Sequence, residues 1–249
     1  MCWTAWTTSS AADRGAVWVT ARPFTVPYGG SMRITHLGHA AVLAETSRAK
    51  ILIDPGNFTD AWHGVTDLDA VLITHAHPDH LDPEHLPRLL DANPGAVVYA
   101  EPSIIQRISA GEVPDLAHAS ALSGGEQVQV GDVTIDAVGS EHAEIHRDIP
   151  RIGNVGFVLR AEGEPTLFHP GDSYATAVAG VDILAMPAYG PWGALKETID
   201  FVRAVGALEG FPIHDELLGD RGRSLIFNRI NDMTGTRLVD LRGGATHEF

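Results

Sequence analysis

The heptapeptide Thr74-His75-Ala76-His77-Pro78-Asp79-His80 constrains this chain more than any other stretch. It follows Ala70-Val71-Leu72-Ile73, a short apolar run that reads as a buried strand. Three imidazoles and a carboxylate therefore leave one strand end in close succession. A period of two places His75 and His77 on the same side of an extended backbone. Pro78 then breaks the strand, so that Asp79 and His80 turn back toward a second point close by. That arrangement suits two adjacent metal ions, one on His75 and His77, the other on Asp79 and His80. Without a cation, groups packed this densely would be costly to bury.

A chain of 249 residues can build one large core or two small ones. No apolar run approaches the length of a membrane span, and no N-terminal stretch reads as a basic-then-apolar secretion signal. Cys2 is the single cysteine, which excludes an internal disulfide and makes a cytoplasmic location the default expectation. The net charge of −15 argues against nucleic acid as a partner, and no basic cluster exceeds Arg221-Gly222-Arg223.

Residues 1–31 differ from the rest: they are rich in Trp, Thr, Ser and Ala, without period, and end in the breaker Pro27-Tyr28-Gly29-Gly30-Ser31. Met32 is expected to be the natural start, with residues 1–31 an upstream extension and residues 32–249 the domain. The alternative is an arm that packs Trp3, Trp6 and Trp18 on a partner or on the domain.

From Arg33 onward, strands are expected at Ile34 to Leu37, Ala41 to Ala44 and Ile51 to Ile53, the last closed by the turn Asp54-Pro55-Gly56. Asp82-Pro83-Glu84 reads as the N-cap and first turn of a helix through Leu86, Leu89 and Leu90. Ala96 to Ala100 is a strand, Pro102 to Ala110 a short helix, and Val128 to Val138 a hairpin split by Gly131-Asp132. Val155 to Arg160 and Thr166 to His169 read as a strand pair before Pro170-Gly171-Asp172. A strand over Val181 to Met186 precedes a helix with Leu195, Ile199, Val202 and Val205 on one face, ended by Gly206. Phe211-Pro212-Ile213 ends at His214. A helix over roughly 221–233, capped by Asp220, and a strand near Arg237 to Leu241 close the chain. The pattern gives a mixed α and β chain with two sheets between helices.

HAHPDH resembles the HxHxDH signature of the metallo-β-lactamase-fold hydrolases. Met32 to Gly56 (MRITHLGHAAVLAETSRAKILIDPG) is similar to the opening of the branch that includes ascorbate-phosphate lactonases and N-acylphosphatidylethanolamine phospholipase D. The resemblance runs from about Met32 to His214. It implies the α/β (α+β) four-layer αββα sandwich of that superfamily. It also implies further ligands at strand ends: His142 joining His75 and His77 at one metal, His214 joining Asp79 and His80 at the other, and Asp172 bridging the two. His39, in Leu37-Gly38-His39-Ala40, is either a neighbour of the metals or a hydrogen-bonded structural histidine, and His169 is expected to support the ligands. Relatives in those branches often carry an aromatic or small residue after the last histidine, where this chain has Asp215.

Two divalent ions, with zinc expected and manganese or iron also compatible with a thiolate-free set, would activate a shared water and polarise a carbonyl or phosphoryl oxygen. Asp79 and Asp172 are the carboxylates expected to serve that chemistry. No GxSxG elbow offers a serine nucleophile instead. Loops over the site are expected to contact a small-molecule substrate through His146, Arg151, Tyr174, Tyr189 and Trp192, with Arg147 or Arg151 as an anion clamp. The leading expectation is thus a dinuclear hydrolase of a small ester, lactone or phosphodiester. The alternatives are a metal-binding sensor without turnover and, less favoured by the charge, a nuclease.

Overall fold

The computed structural model describes residues 28–249; the expectation for residues 1–31 falls almost wholly outside the described residues. The first half runs β1 (Arg33–Gly38), β2 (Ala41–Glu45), β3 (Lys50–Ile53), β4 (Ala70–Ile73), α1 (Leu86–Ala92), β5 (Val97–Ala100), α2 (Pro102–Ser109) and β6 (Ser120–Ala121). The second half runs β7 (Gln127–Val130), β8 (Val133–Val138), β9 (Gly156–Ala161), β10 (Leu167–His169), β11 (Ile183–Pro187), α3 (Leu195–Val205), β12 (Glu209–Ile213), α4 (Asp220–Met233) and β13 (Arg237–Leu238), before β14 (Thr246–Glu248).

The strands form two seven-stranded sheets, ordered β14-β1-β2-β3-β4-β5-β6 and β13-β12-β11-β10-β9-β8-β7. Each sheet is antiparallel at one side and parallel at the other. β1 to β3 pair antiparallel and β3 to β6 parallel; β7 to β10 pair antiparallel and β10 to β13 parallel. The parallel parts carry the helices as crossovers, which is why β4 and β11 read as unbroken apolar runs and are buried along their length.

Three apolar clusters account for four layers. Ile34, Ile51 and Leu72 of one sheet meet Ile135, Phe157 and Phe211 of the other. Leu52, Val71 and Ile73 turn outward onto Leu86, Leu89 and Ile104 of α1 and α2. Phe168, Leu184 and Met186 pack on Phe201, Val202 and Ile230 of α3 and α4. This is the αββα sandwich that the family resemblance implied.

Local departures have local causes. β4 ends at Ile73, so His75 and His77 lie just beyond the strand, His77 in a bend, and the turn proper falls at Pro78 to His80. Asp82 caps a turn through Glu84 N and His85 N at 2.9 and 3.3 Å, and α1 itself begins only at Leu86. Gly219, rather than Asp220, is the N-cap of α4. β14 was not anticipated: a polar Thr-His-Glu segment pairs along β1 through backbone bonds that leave no periodic signal.

Candidate metal centre

The catalytically capable side chains sit where strands of both sheets end, at the carboxyl side of the parallel parts, the usual place for ligands in open α/β sheets. β3 leads into Asp54, β4 delivers His75 to His80, β10 leads into Asp172, β12 delivers His214, and the β8–β9 loop carries His142. Close packing fixes these turns. Gly171 has φ +61°, and a Cβ there would come within 2.3 Å of Asn154 Oδ1. The buried Asn154 amide accepts from Asp172 N at 2.9 Å and donates to Pro170 O at 3.0 Å, clamping the turn that presents Asp172. A Cβ on Gly56 would stand 1.8 Å from Asp79 O, so only glycine lets the two loops approach.

Two groups of donors result: His75, His77, His142 and Asp172, and beside it His39, Asp79, His80 and His214. Asp172 reaches both. Its Oδ2 lies 3.4 Å from His142 Nε2 and 3.0 Å from His214 Nε2, and its Oδ1 lies 3.2 Å from His80 Nε2. His75 Nε2 and His77 Nδ1 are 3.1 Å apart, and Asp79 Oδ2 is 3.4 Å from His214 Nε2. Nitrogen and oxygen ligands about 2.0–2.1 Å from a tetrahedral ion stand roughly 3.3 Å from one another, so these spacings match a shared cation.

Hydrogen bonds behind the rings set which nitrogen faces inward. His142 donates Nδ1–H to Ala143 O at 2.6 Å, and His214 donates Nδ1–H to Tyr189 O. His80 donates Nδ1–H to Asp54 Oδ2 at 2.7 Å. His75 Nδ1 lies 3.0 Å from the Thr74 hydroxyl, which itself donates to Asp54 Oδ2 at 2.7 Å and so must accept from the ring. Each ring then presents Nε2, with its lone pair, to the interior. Asp54 orients a ring in each group, one directly and one through Thr74, although its sequence context suggested only a turn. The available signal was an acidic residue at the end of an apolar strand beside the motif strand.

His80 Nε2, His142 Nε2, His214 Nε2 and Asp172 Oδ1 are buried and have no hydrogen-bond partner. Burial pushes Asp172 upward, but His80 and His214 outweigh it and hold the carboxyl well below the usual carboxylate range. Burial likewise lowers His214 and His80, yet Asp172 reverses both, lifting His214 to about 9 and His80 well above its ordinary value. His75 goes the other way, driven well down by burial and by the charge of His80. The buried Asp172 carboxylate thus demands positive charge, and the inward nitrogens are placed to share it with divalent cations. The residues fit such ions.

His39 joins the site: its Nε2 is 3.0 Å from Asp79 Oδ2, and its ring lies against His214 and Phe58 at centroid distances of 4.1 and 4.6 Å. His39, Asp54 and His214 all take positive φ, near 50°, a conformation that costs a non-glycine residue about 1–2 kcal/mol and that clusters at functional sites. His169 is buried between Ala40 O, at 3.1 Å from Nε2, and Gly171 N, at 3.3 Å from Nδ1, and steadies the turn before Asp172.

A pocket of about 340 Å³ opens over the two groups, with His77, Asp79, Asp172 and His214 at its floor. Trp192 forms one wall and donates Nε1–H to Asp172 Oδ2 at 3.0 Å. The other expected substrate residues are placed differently. Tyr174 is behind the wall, bonded to Pro187 O and Thr198 Oγ1 and packed edge-on against Trp192, because a buried hydroxyl needs these partners. Tyr189 contributes its carbonyl to His214, and its ring does not line the pocket. His146 faces solvent beside Asp148, and Arg151 pairs with Glu141 at 2.8 Å and Glu144 at 3.7 Å; neither lines the pocket. Asn57, Phe58 and Leu217 line it without having been expected, and Ile145 lines it from the expected loop that carries His146 and Arg151.

Replacing Asp54 with Asn tests the orienting role. The amide cannot accept from both Thr74 and His80 with charge, so metal affinity is expected to fall by about 10–100-fold. Titration of the metal-free variant checks this; an unchanged affinity would remove Asp54 from the site.

The model of a family described as "Beta-lactamase superfamily domain" matches residues 33–214. The chain is 38% identical over 206 residues to Protein Rv0786c of Mycobacterium tuberculosis, covering 82% of this chain and 94% of that one. It is 33% identical over 155 residues to a UPF0173 metal-dependent hydrolase of Myxococcus xanthus, covering 58% of this chain and 53% of that one. Among solved structures, the metallo-beta-lactamase fold protein YhfI from Bacillus subtilis superposes with a TM-score of 0.68 at 15% identity, over 88% of this chain and all of that one, a likeness of fold.

Proposed function

The chain belongs to the β-lactamase superfamily, and from that membership we propose that it is a hydrolase dependent on two divalent metal ions, zinc by preference, acting on a small ester, lactone or phosphodiester. The observation that carries this reading is the convergence of unpartnered, buried ring nitrogens and a carboxylate oxygen in two groups joined by Asp172. His75, His77 and His142 would hold one ion, Asp79, His80 and His214 the other, and Asp172 both. The ions would supply Lewis acidity, activating water and polarising the oxygen of the bond to be cleaved.

The protein's own groups do the positioning. Asp54, Thr74, Ala143 O and Tyr189 O fix the ring tautomers, so little reorganisation is needed when ions bind. Asp79, held by His39, lies at the pocket floor, where its carboxylate would steer a water. Trp192 and Pro191 shield Asp172 from bulk solvent on one side, which strengthens every charge interaction beneath them. Among the described residues, no helix is long and apolar enough to cross a membrane, and a small molecule suits the size of the pocket.

The experiment is a panel of chromogenic esters, lactones and phosphodiesters run on metal-free protein and on protein loaded with zinc or manganese. Turnover of one class that depends on the metal is expected. A fully loaded protein that turns over none of them would instead favour a sensor.

A further inference from the structure

Resting on the hydrolase reading, we propose that the substrate is an uncharged carboxylic ester or lactone with an apolar acyl group, and not a phosphodiester or another anion. Three observations converge. The wall above the metal-binding floor is built from Phe58, Pro78, Ile145, Pro191, Trp192 and Leu217, and among the described residues no lysine or arginine lines it. Phe58 and Leu217 are respectively 44% and 51% exposed at the mouth, where large apolar side chains facing water mark a surface kept for an apolar ligand.

The nearby cations are already matched. Arg151 lies between Glu141 and Glu144, Arg147 beside Asp148, and Arg107 beside Glu112. Sites that select anions instead aim an arginine or lysine at the phosphate or carboxylate. Asp79 and Asp172 at the floor, with Asp54 behind the His80 ring, would offset most of the charge that two divalent ions would bring. The net charge of −15 adds a field that disfavours approach of an anion.

The step is a hydrolysis. The oxygen of water bonds to the acyl carbon, the acyl carbon–oxygen bond breaks, and the leaving oxygen takes a proton to become an alcohol. In a lactone, the alcohol and the new carboxylate remain on one molecule. The apolar wall would hold the acyl chain, so selectivity grows with chain length up to the pocket's limit.

The test uses full-length, zinc-loaded protein and two esters of equal acyl length: 4-nitrophenyl butyrate and the mono-4-nitrophenyl ester of succinic acid. The two share a leaving group and differ in a terminal carboxylate. A kcat/KM ratio of roughly tenfold or more in favour of butyrate is expected, with a gain of roughly threefold to fourfold per added methylene from acetate to butyrate. Leu217→Arg, which places a cation at the mouth, should narrow or invert the ratio. Equal rates, or a preference for the succinate ester, would overturn the neutral-substrate inference and leave the hydrolase reading in place. So would metal-dependent cleavage of bis(4-nitrophenyl) phosphate with no cleavage of either ester. Loaded protein that cleaves none of the three would overturn both.

Discussion

Asp172→Asn should lower kcat by about 10²-fold or more while the protein stays folded. Asn keeps the shape and one acceptor but loses the charge and the second equivalent oxygen, the two properties that let one side chain face His80, His142 and His214 together. With that charge gone, two cations would repel each other with less between them, so metal affinity should also fall. Raising metal concentration should refill the site without restoring the rate, because the lost group also stabilises charge in the transition state. Removing one such group costs roughly 2.7–4 kcal/mol, or about 10²–10³-fold. Kinetics at saturating metal, on whichever substrate the panel yields, separate the two effects. A variant that binds two ions and turns over at the wild-type rate would show that Asp172 does not bridge.

Arg223→Ala carries the largest expected loss of stability. Arg223 is nearly enclosed, with Nε 2.5 Å from Asp215 and Nη2 3.0 Å from Asp240, and it ties α4 to the segment just after His214. Its removal leaves Asp215, 4% exposed, as a buried carboxylate without a counter-charge. Breaking a buried pair from one side costs about 3–5 kcal/mol. For a domain of this size that corresponds to a fall in melting temperature of roughly 10 °C. Urea unfolding of the variant checks it, and a loss below about 1 kcal/mol would mean that water reaches the pair. Asp215 thus serves the fold: it pairs with Arg223 of α4 and does not line the pocket.

The contrast between His77 and Asp54 explains how much of the site could be read from the sequence. His75 to His80 are contiguous, so their chemistry is visible even though the strand itself stops at Ile73 and the motif lies beyond it. His142, Asp172 and His214 were recoverable only through the family resemblance, since each is a lone polar residue at the end of an apolar run. Asp54 and Thr74 act through hydrogen bonds between neighbouring strand ends, a relation set by sheet order and silent in sequence. The sheets and helices were legible because β4, β11 and the faces of α3 carry strong apolar patterns. β14 was not, because backbone pairing at a sheet edge asks little of side chains. The substrate wall was the least legible part. Its apolar residues come from separate loops, while the polar residues His146 and Arg151 turn to solvent and pair with Asp148 and Glu141.

The most direct measurement of the central claim is the number of divalent ions held per chain. Metal-free protein is titrated with zinc, followed by elemental analysis after removal of loosely bound ions, with His75→Ala and His214→Ala alongside. The two donor groups joined by Asp172 predict two tightly held ions in the native protein. His75→Ala should lose the ion shared with His77 and His142, and His214→Ala the one shared with Asp79 and His80. Saturation at a single ion, unaffected by one of these substitutions, would contradict the two-metal account.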